Sequence, residues 1–528
     1  MRHKNKPSAY TVLRSGSYRA DAHALFQSLA GTRNDTLLLE SAAGNGRNNT
    51  QSLLFIQNAV RLECRDRSVS IQALTVNGRG AIAALRPALQ NLGAIREEGD
   101  DLTVDFRTTT DAPSASSAPA PMPADVIRLF AHGWNLGSDD AQKRLHLPGV
   151  LAYDHIDCLE ALPPAQRDSH GFPDFVFYLP EIAVVVEHEA RTAHVLIHGY
   201  HATSFDKRYA EDGRRADGLV DVIAGISPAA PRDVAAVLLS DWDAAVSVDI
   251  DDEEYAQLVD DIVAHITCGD VFQIVPSRTF GMPCRDAFRA YGVLRQRHPS
   301  PYLFYVQTPR FALFGAAPAS SLRVYGQPPR VSMRPIAGTR YRGGGLRDEW
   351  DGDLDSRLEA ELKLDARAVA AHMVLVDTAR DDIARISRVG TRTVTSLLQM
   401  ERYENAMHLV SVVEGELHPD RDALHALLAS SNVGTLVGAP KIEAAKLLRE
   451  REHDKRGPYG GAVGYLTSDG ALDTATVERA VLVRDDQAYV RVGAAVLFDA
   501  DGDAESAETR AQAMSLLRAV AAAEGGAS

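Results

Sequence analysis

The segment from Ser430 to Leu466, SSNVGTLVGAPKIEAAKLLREREHDKRGPYGGAVGYL, constrains the chain most. It holds two glycine-rich turns, Gly434–Lys441 and Gly457–Gly464, with an amphipathic helix between them. Gly434, Gly438 and Pro440 exclude a regular element in the first turn, because glycine accepts φ > 0 and lets backbone approach closely. Ala444, Ala445, Leu447 and Leu448 then recur at helical spacing, with Lys441, Glu443, Lys446 and Arg449 between them. A glycine loop that enters a helix presents backbone N–H groups to an anion. The second turn, Arg456-Gly-Pro-Tyr-Gly-Gly, carries one aromatic hydroxyl at Tyr459 and feeds the apolar run Ala462–Leu466, predicted to be a buried strand. Either turn alone reads better as an ordinary connection.

A formal net charge of -15 argues against a nucleic-acid surface. An acidic protein that binds a dicarboxylate must gather local positive charge. The four cysteines, Cys64, Cys158, Cys268 and Cys284, form no C-x-x-C pair, which predicts no zinc site and a reducing, cytoplasmic setting. The basic start, MRHKNKPSAY, lacks an apolar core after it, so no signal peptide is expected. No apolar run is long enough to span a bilayer. His194, His198 and His201 lie in an alternating segment, and strand geometry puts His201 on the face opposite the other two, so no metal is expected there.

Read in order, Leu37–Ser41 and Ser52–Ala59 are apolar runs and Val69–Thr75 alternates, which predicts an antiparallel sheet. Asp111–Ala124 is a Pro/Ala/Ser linker, and Ile226–Asp233 is a second Pro-rich joint. The expected organisation is an N-terminal domain of residues 1–245 followed by a second domain of residues 246–528. Tyr255, Leu258, Val259, Ile262, Val263 and Ile266 predict a helix over Asp251–Cys268, and Val271–Val275 a strand with the polar Gln273 inside it. Such a residue must find a partner or face a pocket. Leu354–Arg380 reads as one helical segment, and Asp503 as the cap of the last helix.

The pair G-T-L-x-G-A-P-K and R-G-P-Y-G-G-A-V-G-Y resembles the chorismate-binding enzymes, most of all the large component of anthranilate synthase. The likeness runs from Leu37-Leu-Leu-Glu-Ser41 to Glu508-Thr509. It implies an α+β fold of two large sheets packed together with helices outside, the N-terminal domain regulatory and the C-terminal one catalytic. It implies chorismate and ammonia as substrates, anthranilate (or an aminated intermediate) and pyruvate as products, magnesium as cofactor and a separate glutaminase subunit as partner.

By the same resemblance, Gln273 marks the ammonia-using branch, where lysine goes with water, and Ala337 separates the chain from the aminodeoxychorismate branch. Gln273, His408 (in Met407-His-Leu-Val-Ser411) and Thr435 are the candidate catalytic residues. Tyr459, Arg479, Gly338, Thr339, Gly493, Ala494 and Lys441 are the candidate substrate-binding ones. Arg479, inside Val477–Val483, would fork a substrate carboxylate. Glu40, Ser41, Pro301 and Tyr302 match parts of a regulatory site for tryptophan.

The departures from the family pattern fall on carboxylates. The pattern G-A-S-P-E-S, with a general acid at the glutamate, has Ala319 here. The pattern D-x-K-E-x-x-E-H reads Asp365-Ala-Arg-Ala-Val-Ala-Ala-His372, so Ala368 and Ala371 replace two glutamates on one helix face. Val437 and Ala495 replace a hydroxyl and a glycine. Glu505 and Glu508 remain as candidate metal ligands, or as carboxylates favoured by the helix N-terminus. Two readings stay open: an anthranilate synthase-type lyase, and a non-catalytic or repurposed chorismate-fold protein.

Overall fold

The computed structural model describes residues 6–40, 51–107, 120–137, 141–200, 205–226, 245–318, 320–342, 351–402 and 406–524. Ser41, His201, Ala319 and most of both Pro-rich joints lie outside them.

The strand Phe175–Glu187 (FVFYLPEIAVVVE) is apolar at nearly every position and buried along almost its whole length. A strand without polar alternation needs cover on both faces, and this one has it. On one face lies an inner core that includes Phe55, Tyr178, Phe304, Leu313, Val463 and Leu482. Outside it, the helices Ala22–Leu29, Ala287–Arg297 and Gly502–Glu524 pack into a second core with Phe26, Tyr291 and Leu517. The helices Val76–Leu89, Ala124–His132, Ala366–Ile386 and Ala423–Ser430 cover a third, with Leu85, Phe130, Ile383 and Leu427. This is an α+β architecture. The two expected sheets are parts of one antiparallel hydrogen-bonded network that closes on itself.

Strands from the two ends of the sequence interleave in that network. Thr36–Glu40 pairs with both Gln51–Arg65 and Tyr302–Gln307, setting Leu37 opposite Val306. His146–Leu151 pairs with Ala462–Thr467, setting Val150 opposite Val463. Gln273–Ile274 and Gly438–Ala439 stand apart as a separate two-stranded ribbon.

Asp251 caps the helix Asp252–Cys268 and Gly269 ends it at φ 87°, as the pattern predicts. The helix expected over Leu354–Arg380 is instead two, Gly352–Leu364 and Ala366–Ile386. Asp365 takes extended backbone between them, and its Oδ1 accepts the Ala368 N–H at 3.0 Å. Its Oδ2 accepts from Arg340 at 2.8 Å, an ion pair that holds the break in place. The last helix begins at Gly502 and its cap is Asp501, which accepts the Ala504 N–H at 2.9 Å; Asp503 lies one residue inside.

Candidate active site

The two-stranded ribbon creates the site. Gln273 pairs with Ala439 and Ile274 with Gly438. Gly438 has φ 132°, and a Cβ there would lie 2.1 Å from the Gln273 carbonyl oxygen, so only glycine fits. The glycine loop is thereby fastened against Gln273, and Lys441–Arg451 follows as the helix that the spacing predicts.

A cavity of about 240 Å³ opens beside this ribbon. Gln273, Thr435, His408 and Arg479 all line it, together with Ala337, Ala371, Asp382, Glu478 and Ala495. Residues far apart in the chain thus converge from five elements. Gln273 comes from the ribbon and Thr435 from the glycine turn. His408 comes from the strand Ala406–Glu416, Arg479 from the start of Arg479–Arg484, and Ala371 from the Ala366–Ile386 helix. Gln273 and His408 are buried, while Arg479 is exposed at the mouth. Burial, reinforced by the Arg479 charge, lowers the His408 pKa to about 4. The imidazole is therefore neutral at physiological pH, able to accept a proton or a hydrogen bond.

Other candidates lie close to the cavity without lining it. Gly338, at φ 77°, forms the bulge between Ala337 and Thr339, and Thr339 stands opposite His408 in the strand register. Tyr459 is buried in a separate, smaller space with Arg456 and Arg491, and burial raises its pKa. Gly493 backs onto it, since a Cβ there would lie 3.0 Å from the Tyr459 hydroxyl. The Ala494 N–H donates to the Tyr255 hydroxyl at 3.3 Å, so that donor is engaged within the protein. Lys441 donates to both oxygens of Asp382, at 2.8 and 2.7 Å, and to the Ser431 carbonyl at 3.3 Å. Asp382 faces the small cavity, whereas Lys441 faces a larger one of about 770 Å³ with Arg385 and Leu428. This buried pair is the wall between the two spaces. The Asp382 pKa is raised by burial, against the pull of Lys441.

Glu505 and Glu508 do not line the cavity. Glu505 is half-buried, and burial raises its pKa against the opposing charge of Arg367. Glu508 is exposed and accepts from Gln512 at 2.9 Å. Among the described residues no three His, Cys, Asp or Glu side chains cluster closely enough to hold a metal ion. The cavity's own carboxylates are Glu478 and Asp382, the latter already paired with Lys441. The donor set does not fit a magnesium site assembled in advance of substrate. Ala371 faces this cavity, so Ala371→Glu should add a ligand in the right place. Magnesium titrated into the Ala368→Glu/Ala371→Glu variant, followed by calorimetry, is expected to bind at least tenfold tighter than to the unmodified chain, about 1.4 kcal/mol. Equal affinity in both would remove these positions from the metal question.

Of the candidate regulatory residues, Glu40 is buried and accepts from the Tyr291 hydroxyl at 2.9 Å and from Arg295 Nε at 3.1 Å. Burial raises its pKa in spite of Arg295. Tyr302 donates to Asp473 at 2.9 Å. Glu40 and Tyr302 share a small space with Leu53 and Tyr465, and Pro301 precedes it in the chain without lining it.

The sequence did not single out Glu478, Asp382 or the buried cluster behind the ribbon. In that cluster Glu452 accepts from the Ser277 N–H at 2.8 Å, from Arg456 Nε at 2.8 Å and from Arg491 at 3.0 Å. Arg456 opens the second glycine turn, so that residue carried a signal.

A family model for chorismate binding enzymes matches residues 107–518, and the chain belongs to that family. The chain is 41% identical over 504 residues to anthranilate synthase component 1 of Vibrio cholerae, covering 95% of this chain and 94% of that one. It is 41% identical over 483 residues to the pyocyanine-specific anthranilate synthase component 1 of Pseudomonas aeruginosa, covering 90% of this chain and 88% of that one. Anthranilate synthase component I of Streptococcus pneumoniae has the same fold, with a TM-score of 0.64 at 26% identity over 89% of this chain and 93% of that one.

Proposed function

We propose that the chain acts on chorismate with ammonia, as the large component of an anthranilate synthase. The observation that carries this reading is the convergence of Gln273, Thr435, His408 and Arg479 on one cavity. Similarity along nearly the whole chain to anthranilate synthase components supports it. The reaction adds ammonia to the ring, loses the ring hydroxyl, then eliminates pyruvate and aromatises.

Each residue has a chemical part in that scheme. Arg479 holds a substrate carboxylate at the cavity mouth. Gln273 cannot itself take a proton at neutral pH, so it positions ammonia by hydrogen bonding. The neutral His408 would accept a proton or a hydrogen bond from the departing hydroxyl. Thr435 offers a hydroxyl from the glycine turn. The scheme asks no metal to act in advance of substrate, in keeping with the donor set. Ammonia comes from a separate glutaminase chain, because none of the four cysteines lies in the G-x-C-x-G turn of such a nucleophile. Residues 1–245 supply the regulatory part.

The test is incubation with chorismate, an ammonium salt and magnesium while the fluorescence of anthranilate is followed. Saturable binding of chorismate with no anthranilate and no pyruvate would overturn the lyase reading and leave a binding protein. Arg479→Ala should weaken chorismate binding by roughly tenfold in calorimetry, the low end for a charged hydrogen bond because this side chain is exposed. Unchanged affinity would place the carboxylate elsewhere.

A further inference from the structure

Cys64 and Cys158, distant in sequence, meet at the foot of the second glycine turn. Cys64 is the penultimate residue of the strand Gln51–Arg65 and is buried, while Cys158 closes the short helix Tyr153–Cys158 and is partly exposed. Both sulfurs reach the same oxygen: the Asp66 carbonyl lies 3.5 Å from Cys64 Sγ and 3.1 Å from Cys158 Sγ.

The surroundings are those of a reactive thiol. The His155 imidazole is buried three positions before Cys158, and neither of its ring nitrogens has a hydrogen-bond partner among the described residues. Asp174 stands 3.9 Å from Cys64, and burial together with the Cys158 charge pushes its pKa up to about 8. That carboxyl is therefore largely uncharged near neutrality and does not repel an adjacent thiolate. The hydrogen bond from Cys64 and the contact with His155 hold the Cys158 pKa below the ordinary thiol range, against burial. The interaction with Cys158, together with burial, pushes Cys64 the other way. A thiolate with a neutral thiol beside it is the arrangement of an attacking and a resolving cysteine.

We infer that Cys158 and Cys64 form a peroxide-sensitive dithiol, in which Cys158 is oxidised first and Cys64 resolves it. The Cys158 thiolate attacks one oxygen of hydrogen peroxide, the O–O bond breaks, and hydroxide leaves, taking a proton to become water. The Cys158 sulfenic acid is then attacked by the Cys64 sulfur, and the S–S bond forms as a second water departs. Two thiols and one peroxide give one disulfide and two waters, so peroxide takes both electrons. The disulfide would lie next to a fastening of the turn. The Tyr153 N–H donates to the Gly457 carbonyl at 2.9 Å, and Asp154 accepts the Gly457 N–H at 2.7 Å.

The full chain treated with hydrogen peroxide is expected to lose two of its four thiols and to yield a cross-linked peptide joining Cys64 and Cys158. Cys64→Ser should stop at the sulfenic acid and capture dimedone at Cys158. Cys158→Ser should keep its remaining thiols under the same exposure. Native protein labelled with iodoacetamide at pH 6, which needs no variant to fold, should react at Cys158 before the exposed Cys268. The inference fails if all thiols survive peroxide, if Cys268 reacts first, or if Cys64 oxidises as fast without Cys158.

Discussion

Glu452→Ala should destabilise the fold by roughly 3–5 kcal/mol, the range for breaking a buried ion pair by removing one partner. Glu452 is buried with Arg456 and Arg491, and its oxygens accept from both guanidinium groups and from Ser277. Truncation strands two buried cations that have no route to water. Arg456 also donates to the carbonyls of Leu436 at 2.6 Å and Val275 at 2.7 Å, so it ties the glycine loop to the ribbon. Loss of its partner therefore loosens the site as well as the core. The pH dependence follows from the same cluster. Burial alone would raise the Glu452 pKa, but Arg456 and Arg491 outweigh it and the pKa is lowered. A carboxylate depressed in the folded state contributes stability above its unfolded pKa, about 4.3, and loses it as pH falls through the folded value. Urea denaturation should show the variant penalty in full at pH 7 and shrinking below pH 4. A penalty under 1 kcal/mol at pH 7 would mean that water reaches the cluster.

The second large effect concerns the wall between the cavities. Lys441→Met keeps the aliphatic stem but leaves Asp382 without its cation. Asp382 and Lys441 have relative side-chain exposures of 3% and 9%, so solvent cannot replace the pair. The cost should be roughly 3 kcal/mol with the carboxylate charged, and smaller once it takes up a proton. The sign is opposite to that of Glu452. Asp382 already has a raised pKa, and loss of Lys441 raises it further, so the variant is favoured below the unfolded pKa and weakens as pH rises through the folded value. Guanidinium titrations at pH 5 and pH 8 should show the larger deficit at pH 8. A deficit independent of pH would indicate that Asp382 finds another donor.

Much of the site could be read from the chain because turns and apolar spacing are local. The two glycine turns, the helix between them and the strand after Tyr459 all follow from neighbours in sequence. Gln273 stood out because a polar residue inside an apolar run has to be accounted for, and the ribbon accounts for it. The break at Asp365 was hidden because no glycine or proline marks it; Arg340, on another strand, holds it. The cap of the last helix was misplaced by two residues, since Asp501 and Asp503 offer the same chemistry and only backbone geometry chooses between them. Lys441 was read toward an anionic ligand, yet the carboxylate it meets belongs to the protein, 59 positions away. No periodicity reports such a partner. The same holds for the two thiols, whose wide spacing in the chain concealed a shared neighbour.

The interleaving of strands also limits how such a protein can change over generations. Thr36–Glu40 is laced between Gln51–Arg65 and Tyr302–Gln307, and His146–Leu151 is laced to Ala462–Thr467. A recombination breakpoint in the middle of the gene would hand each half the unmatched edge of a foreign sheet. An inherited front half must bring side chains that mesh with Phe304, Val306 and Val463 of the back half. The two halves of the chain are thus not separable parts to be exchanged between lineages. They have to drift together, one compatible substitution at a time.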